Sequence, residues 1–159
     1  MTAQVSPPSR ASDILAAAGV AEDFSFYRGF TAEAEKAVLT VPQKIVAAWA
    51  ANDADAFADV FTADGSLLMQ DEQLVSRDEI RAHMAAGFDG PYAGARVTGF
   101  PLSVEFLSED VAMVVTEGGI LLAGDEDLDA KRAIRATWII VERDGEWRLL
   151  SHQSSPIAG

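Results

Sequence analysis

The chain has 159 residues, of which 49% are hydrophobic, and it carries a formal net charge of −13 at pH 7. This size and composition suit one globular domain with a buried core, while the acidity argues against nucleic acids and anionic membranes as partners. Because the sequence lacks cysteine, disulfides, thiolate metal sites and cysteine nucleophiles are excluded. No secretory leader and no apolar run of membrane-spanning length is recognisable, so we expect a cytoplasmic protein.

The first 31 residues are predicted to form an arm that precedes a domain at residues 32–157. Its Ser- and Pro-rich start predicts flexibility, and Ser12 is a candidate cap for a short helix that stops near Gly19. The next segment, "EDFSFYRGF", is rich in aromatic residues: Phe24, Phe26, Tyr27 and Phe30. Two interpretations are open, because these rings can pack on the domain and cover apolar surface, or they can form a lid over a pocket.

The first long helix is predicted from Thr31 to Ala51. Its apolar residues recur at helical spacing: Val38, Val41, Ile45, Val46 and Trp49. Pro42 lies in the middle of this pattern and predicts a kink or a restart of the helix.

Two shorter helices are predicted after it. Asn52 or Asp53 is a candidate N-cap for the first of them, in which Phe57, Val60 and Phe61 form an apolar stripe. A short pair of strands follows around Asp71 and Glu72. In "SRDEIRAHMAAGF", Ser76 and Glu79 have the spacing of a capping box, and Gly87 is predicted to end the helix.

The period then changes to that of β-strands. Four segments of about ten residues follow: "ARVTGFPLSVEFLS", "DVAMVVTEGGILLA", "KRAIRATWIIVER" and "EWRLLSHQSS". Because helices come first and a long antiparallel meander follows, the predicted fold class is α+β, with the helices on one face of a curved sheet.

Four stretches together resemble a known family: "AAWAANDADAFADVFTADG", "SRDEIRAHM", "VAMVV" and "DGEWRLLSHQSSP". In this order and spacing they resemble the nuclear transport factor 2-like (NTF2-like) superfamily, and more narrowly its SnoaL-like branch and the SgcJ/EcaC type associated with enediyne antibiotic biosynthesis. The resemblance implies a cystatin-like cone, in which a strongly bent antiparallel sheet wraps around helices and encloses a pocket. It also implies a homodimer that pairs through the outer face of the sheet.

His152 is one of only two histidines in the chain, and histidine is the usual carrier of protons near pH 7. The turn that precedes it decides which face of the sheet it occupies. If Asp144 and Gly145 form a two-residue type I′ turn, His152 lies opposite Thr137. If the loop has three residues and a glycine bulge, it lies opposite Ala136.

The residues alone leave both registers open. The implied cone fold favours the bulged one, which places His152 in the cavity with Trp138, Leu150 and Ser154. The competing interpretation is a histidine that is satisfied by backbone or dimer contacts.

Glu117 is the second candidate catalytic residue, because it interrupts an otherwise apolar strand. Burial would raise its pKa into a range useful for acid–base chemistry, and it would then complement His152. Glu117 at an edge beside Gly118 and Gly119 is the alternative. His83 lies on a mixed helix face, where it is a candidate pocket residue or, more simply, a packing residue.

Further pocket residues are expected among the apolar side chains, since core and pocket wall are continuous in a cone fold. The candidates are Trp49, Phe61, Met69 and Phe88. The loop "GDEDLDA" lacks the spacing of a calcium loop, and the sequence has no zinc, phosphate-loop or nucleophile-elbow motif. We therefore expect neither a metal nor a cofactor.

Two functions fit these expectations. In the first, the resemblance implies an accessory protein of enediyne or polyketide biosynthesis, which binds a hydrophobic polyene or polyketide intermediate and assists its release, cyclisation or isomerisation, with His152 as proton shuttle. In the second, the protein is a non-catalytic carrier that acts with a polyketide synthase.

Overall fold

A computed structural model describes residues 10–68 and 72–157 of the chain. Within these residues, the helices are α1 (Arg10–Ala17), α2 (Glu33–Ala51), α3 (Ala54–Asp59) and α4 (Arg77–Asp89). The strands are β1 (Phe61–Leu68), β2 (Gln73–Leu74), β3 (Arg96–Ser108), β4 (Val111–Leu121), β5 (Ile134–Arg143) and β6 (Glu146–Pro156). They form one sheet in the order β2-β1-β6-β5-β4-β3. The predicted α+β architecture, with helices against a curved open sheet, is confirmed.

Helix α2 is the central element of the core. Its predicted stripe is buried, with Val38 and Val41 fully enclosed and Ile45 6% exposed. Pro42 lies inside the helix and does not interrupt it. Asn52 caps the end of the helix with a left-handed backbone (φ 49°). Asp53 then caps α3 by accepting a hydrogen bond from the Ala56 amide at 3.0 Å.

The end of helix α4 differs from the prediction. Ser76 caps it as expected, accepting from the Glu79 amide at 3.1 Å, but the helix continues past Gly87 to Asp89. Gly87 serves a different purpose, because a Cβ there would lie 2.7 Å from Cδ2 of Tyr92. The missing side chain makes room for the Tyr92 ring against the helix.

The four long strands β3 to β6 form the predicted antiparallel meander. Strand β1 was predicted only as part of a short pair with β2, and this prediction was incomplete. It begins at Phe61, pairs antiparallel with β2 and runs parallel to β6. This parallel pairing joins residues more than 80 positions apart in the chain, such as Phe61 with Leu149 and Leu67 with His152. No local sequence pattern could therefore predict it.

Candidate functional site

A cavity of about 420 Å³ lies between the helices and the concave face of the sheet. Its volume is within the usual range for small-molecule sites. Most of its wall is apolar or aromatic, with side chains from α2, α3, α4 and all the strands except β2: Ile45, Trp49, Phe57, Phe61, Leu67, Met84, Val97, Ile120, Trp138 and Leu149. The exposed lining residues, among them Ser154, Pro156 and Lys131, mark the mouth.

The hairpin between β5 and β6 corrects the predicted turn. Asp144 (φ 54°) and Gly145 (φ 80°) form a two-residue turn with Arg143 opposite Glu146, so the three-residue loop was wrong. This turn alone would place His152 opposite Thr137. The ladder shifts by one residue at Leu150, however, because Ile140 pairs with Leu149 and Ile139 with Ser151.

This β-bulge restores His152 to the inner face, opposite Trp138. It also reverses which residues of β6 face inward, since the side-chain alternation restarts after the extra residue. Leu149 is fully buried and lines the cavity, whereas Leu150 does not line it. The prediction that Leu150 lines the cavity was therefore wrong, because the extra residue lies at Leu150 itself and not in the turn.

His152 lies in the cavity wall with its ring edge-on to Trp138, the two ring centroids being 4.5 Å apart. Burial lowers the pKa of His152 from 6.5 to about 4, because an imidazolium would lose its hydration without gaining a partner. Nδ1 is buried and has no hydrogen-bond partner among the described residues. At neutral pH the ring is therefore an uncharged polar group in an apolar wall.

Thr116 provides a further polar group of the wall, beside Trp138. Its hydroxyl accepts a hydrogen bond from Nε1 of Trp138 at 2.8 Å, which fixes the indole that flanks His152. The hydroxyl proton remains available to donate, since a hydroxyl both donates and accepts. Nothing in the sequence pattern indicated Thr116 beyond its position one residue before Glu117.

Glu117 does not form the predicted acid–base pair with His152. It borders the cavity, but the alternation of β4 places its side chain on the opposite face from Thr116. Its carboxylate accepts from Nε of Arg135, its cross-strand neighbour, at 3.3 Å. Since the Arg135 side chain is 60% exposed, this is a surface ion pair and leaves His152 without an acid partner.

The other candidate residues divide between the cavity wall and positions outside it. Trp49, Phe61, Trp138 and Ser154 line the cavity. Phe88 is buried one layer behind, where its ring meets Trp49 edge-on at 5.2 Å. His83 lies off the buried stripe of α4 and faces Glu72, with Nδ1 to Oε2 at 3.9 Å. Met69 lies outside the described residues, as do residues 1–9 of the start predicted to be flexible, residues 1–10. Arg10, the last residue of that stretch, begins α1.

Two further lining residues were not among the predicted pocket residues. Tyr92 follows α4 in the turn "DGPYAG" and packs edge-on against Trp49 at 5.2 Å. Phe26 belongs to the segment between α1 and α2, and it is 8% exposed. Its neighbour Phe24 is 72% exposed. Aromatic content therefore indicated this segment, but could not tell which ring faces inward.

The charges at the mouth are largely offset within one loop. Lys131 and Arg132 border the cavity, and Arg132 donates to Asp125 at 2.9 Å. This pairing with Arg132 lowers the pKa of Asp125. The same loop carries further acidic residues, namely Glu126, Asp127 and Asp129, so the mouth does not concentrate positive charge.

Two further properties concern residues 10–68 and 72–157. No three histidine, aspartate or glutamate side chains in these ranges are grouped so that they could hold a metal ion. No helix within them is both long and apolar enough to cross a membrane.

A comparison with known protein families identifies the domain that contains this cavity. Residues 38–159 match the model of the SnoaL-like domain. The chain belongs to the SnoaL-like domain family. No curated protein matches the sequence. The family match begins inside α2, so that the SnoaL-like match excludes α1 and the segment that carries Phe26.

Solved structures show the same fold at low sequence identity. A domain of unknown function with a cystatin-like fold from Nostoc punctiforme superposes with a TM-score of 0.72 at 21% identity, covering 79% of this chain and 78% of that one. An NTF2-like protein from Novosphingobium aromaticivorans gives 0.68 at 16% identity, covering 87% and 92%. A putative calcium/calmodulin-dependent protein kinase II association domain from Thiobacillus denitrificans gives 0.63 at 20% identity, covering 75% and 94%. These similarities show that the chain has the fold of an NTF2-like cone.

Proposed function

We propose that this protein binds an uncharged, largely apolar ligand in its cone cavity, with the neutral His152 as the polar contact. The observation that carries this proposal is the half-buried imidazole of His152, whose enclosed Nδ1 has no partner among the described residues, in a wall that is mostly apolar. An unpartnered polar atom costs free energy when buried, and a ligand carbonyl or hydroxyl that reaches the ring would recover part of it. The SnoaL-like fold agrees with a ligand-binding or polyketide-cyclase-like role.

The ligand class that fits this wall is a polyene or polyketide intermediate, and the proposed setting is enediyne or polyketide antibiotic biosynthesis in the cytoplasm. The cavity offers flat aromatic surfaces from Trp49, Phe57 and Trp138, against which conjugated chains pack well. An anionic ligand is disfavoured, because a carboxylate would lose its hydration beside a neutral histidine in a protein of net charge −13.

A fluorescence titration tests the charge of the ligand. The probes are parinaric acid, a conjugated tetraene, and its methyl ester. We expect the ester to quench the tryptophan emission of the cavity and to bind at least about tenfold more tightly than the acid at pH 7, a difference of about 1.4 kcal/mol. Trp147→Phe removes the one tryptophan that does not line the cavity, and should leave the quenching in place.

Two outcomes would overturn the proposal. Either neither probe binds, or the acid binds more tightly than the ester. A His152→Phe variant keeps an aromatic ring of similar size at the wall and should weaken the ester, whereas His83→Gln, which alters the histidine outside the cavity, should not.

Catalysis is the second candidate function, and it is favoured by one observation. His152 is a titratable side chain within the wall beside Trp138, where it could move a proton for a cyclisation or isomerisation. Its low pKa makes it a weak base at pH 7, and no carboxylate assists it among the described residues. Binding is therefore the function that the geometry supports better.

Two substitutions separate the catalyst from the carrier. With a polyketide synthase and its polyene product as the assay, an enzyme should lose its effect on product formation about 100-fold in His152→Ala while still binding ligand. A carrier should lose no more of its effect in His152→Ala than the weaker ligand binding accounts for, and should regain that effect at saturating ligand. It should lose its effect in Trp138→Ala, which removes wall surface. If neither variant changes product formation, the cavity is not the functional site.

The outer face of the sheet is the proposed homodimer surface. Met113 and Ile139 are cross-strand neighbours there, and both are only half-buried in the single chain. A second copy would cover them. Analytical ultracentrifugation of the protein alone tests the dimer. A polyketide synthase is a further proposed partner, as the enzyme that supplies the ligand.

A further inference from the structure

The segment between α1 and α2 contributes Phe26 to the cavity wall, although it lies outside the SnoaL-like match at residues 38–159. We infer that Phe26 sets the length of ligand that the cavity accepts. This inference rests on the proposed function, since it concerns the same cavity. It assigns size selection to a part of the chain that the family match does not include.

The segment is held on the core at a defined position. The amide of Asp23 donates to Oε1 of Gln43 on α2 at 2.8 Å, and Gln43 is only 4% exposed. Tyr27 is 3% exposed, and its hydroxyl donates to Glu22 at 2.5 Å. Burial, with Glu22 alongside, raises the pKa of Tyr27 to about 12, so this hydroxyl keeps its proton at every physiological pH.

A second contact joins the segment to strand β3. The guanidinium of Arg28 lies 4.2 Å from the centre of the Phe100 ring, and Phe100 borders the cavity on β3. Arg28 reaches it from a backbone with a positive φ (51°), which is an unfavourable conformation for arginine. The segment therefore bridges from α2 to β3 with Phe26 between its two attachments.

These contacts leave the Phe26 ring as the side chain of this segment that fills the cavity wall. Tyr27, the next residue after Phe26, holds the segment in place through its hydrogen bond to Glu22. Phe24, two residues before Phe26, is 72% exposed. Removing the Phe26 ring should therefore lengthen the cavity without releasing the segment, because the contacts of Gln43, Tyr27 and Arg28 remain. Longer ligands should then fit where wild type excludes them.

The test compares Phe26→Ala with Phe24→Ala, two equal truncations placed two residues apart. Methyl decanoate and methyl hexadecanoate compete against methyl parinarate in wild type and in each variant. In Phe26→Ala we expect the affinity for hexadecanoate relative to decanoate to rise at least about fivefold, since each added methylene in an apolar pocket alters binding strongly. Phe24→Ala should keep the wild-type ratio.

The outcomes separate this inference from the proposal beneath it. If wild type binds the esters and Phe26→Ala retains the wild-type ratio, or if both variants shift alike, the inference is overturned and the proposed function stands. If wild type binds none of these esters, both are overturned. Phe26→Leu, which keeps the site apolar and is less disruptive, should give a smaller shift in the same direction; it decides the matter if the alanine variant does not fold.

Discussion

Replacing Gly118 by alanine is expected to lower the free energy of unfolding by at least about 3 kcal/mol, at the upper end of the cost of overfilling a packed interior. Gly118 of β4 faces Gly99 of β3 across the ladder. A Cβ on Gly118 would overlap the carbonyl oxygen of Thr98 and lie 2.6 Å from Cα of Gly99. These are backbone atoms of a paired strand, so they cannot move aside as the end of a flexible side chain would.

The matched control is Gly29→Ala. No atom lies within 4 Å of a Cβ placed on Gly29, and its φ is outside the left-handed region. We expect this substitution to change the free energy of unfolding by less than about 0.5 kcal/mol, as is usual for surface positions. Urea unfolding followed by circular dichroism measures both. Equal effects in the two variants would contradict the close approach of β3 and β4 at this point.

The same glycines matter for the cavity. Gly99, Gly118 and Gly119 all line it, so the site where a Cβ on Gly118 would meet the backbone of β3 lies in the cavity wall. Gly119 also lets the loop before β5 close over the strand, because a Cβ there would lie 2.8 Å from the carbonyl oxygen of Arg132. We therefore expect Gly118→Ala to impair ligand binding together with stability.

Much of the fold was accessible from local patterns. The stripe of α2, the cap of α4 and the strand period of the four long strands are each set by residues close in sequence, and these features were predicted correctly. The errors concern distant contacts. Gly87 did not end its helix, and its missing side chain instead makes room for the Tyr92 ring. The parallel pairing of β1 with β6 has no local signature.

The site was less accessible for a related reason. The face that His152 occupies depends on two features that act in opposite directions, the two-residue turn at Asp144 and Gly145 and the bulge at Leu150. The turn has a recognisable dipeptide, but the bulge lies within "RLLSHQ", which contains no glycine to signal it. A one-residue shift reverses every side chain of a strand, so the position of Leu149 in the wall could not be deduced from spacing.

The lost partnership of Glu117 and His152 follows from the same alternation. Thr116 and Glu117 are adjacent in β4, and only one of them can face inward. The apolar neighbours of Glu117 suggested burial, yet Arg135 on β5 provides a surface partner for its carboxylate. The sequence contains both residues of this ion pair, but the register that joins them appears only in the folded sheet.

The burial of His152 predicts a specific dependence of stability on pH. Its pKa is about 4 in the folded protein and about 6.5 in an unfolded chain. Above pH 6.5 the ring is neutral in both states and the free energy of unfolding is unaffected. Between pH 6.5 and pH 4 the unfolded chain binds a proton that the folded protein does not, so stability falls as the pH falls, by up to about 1.4 kcal/mol per pH unit.

The loss should approach about 3 kcal/mol near pH 4 and then level off, because below that pH the ring is protonated in both states. Carboxylates also titrate in this range, and the measurement must therefore be a difference between variants. His152→Gln removes the titrating ring, whereas His83→Gln removes the chain's other histidine, whose side chain is 31% exposed.

The experiment is urea unfolding of wild type and both variants at intervals from pH 4 to pH 8. We expect His152→Gln to lose less stability than wild type on acidification from pH 6.5 to pH 4, by about 3 kcal/mol, and His83→Gln to stay within about 1 kcal/mol of the wild-type change. Parallel curves for wild type and His152→Gln would show that the ring is hydrated or paired in the folded protein. The neutral polar contact on which the proposed ligand class depends would then be absent, so this measurement of stability also tests the chemistry of the cavity without requiring its ligand.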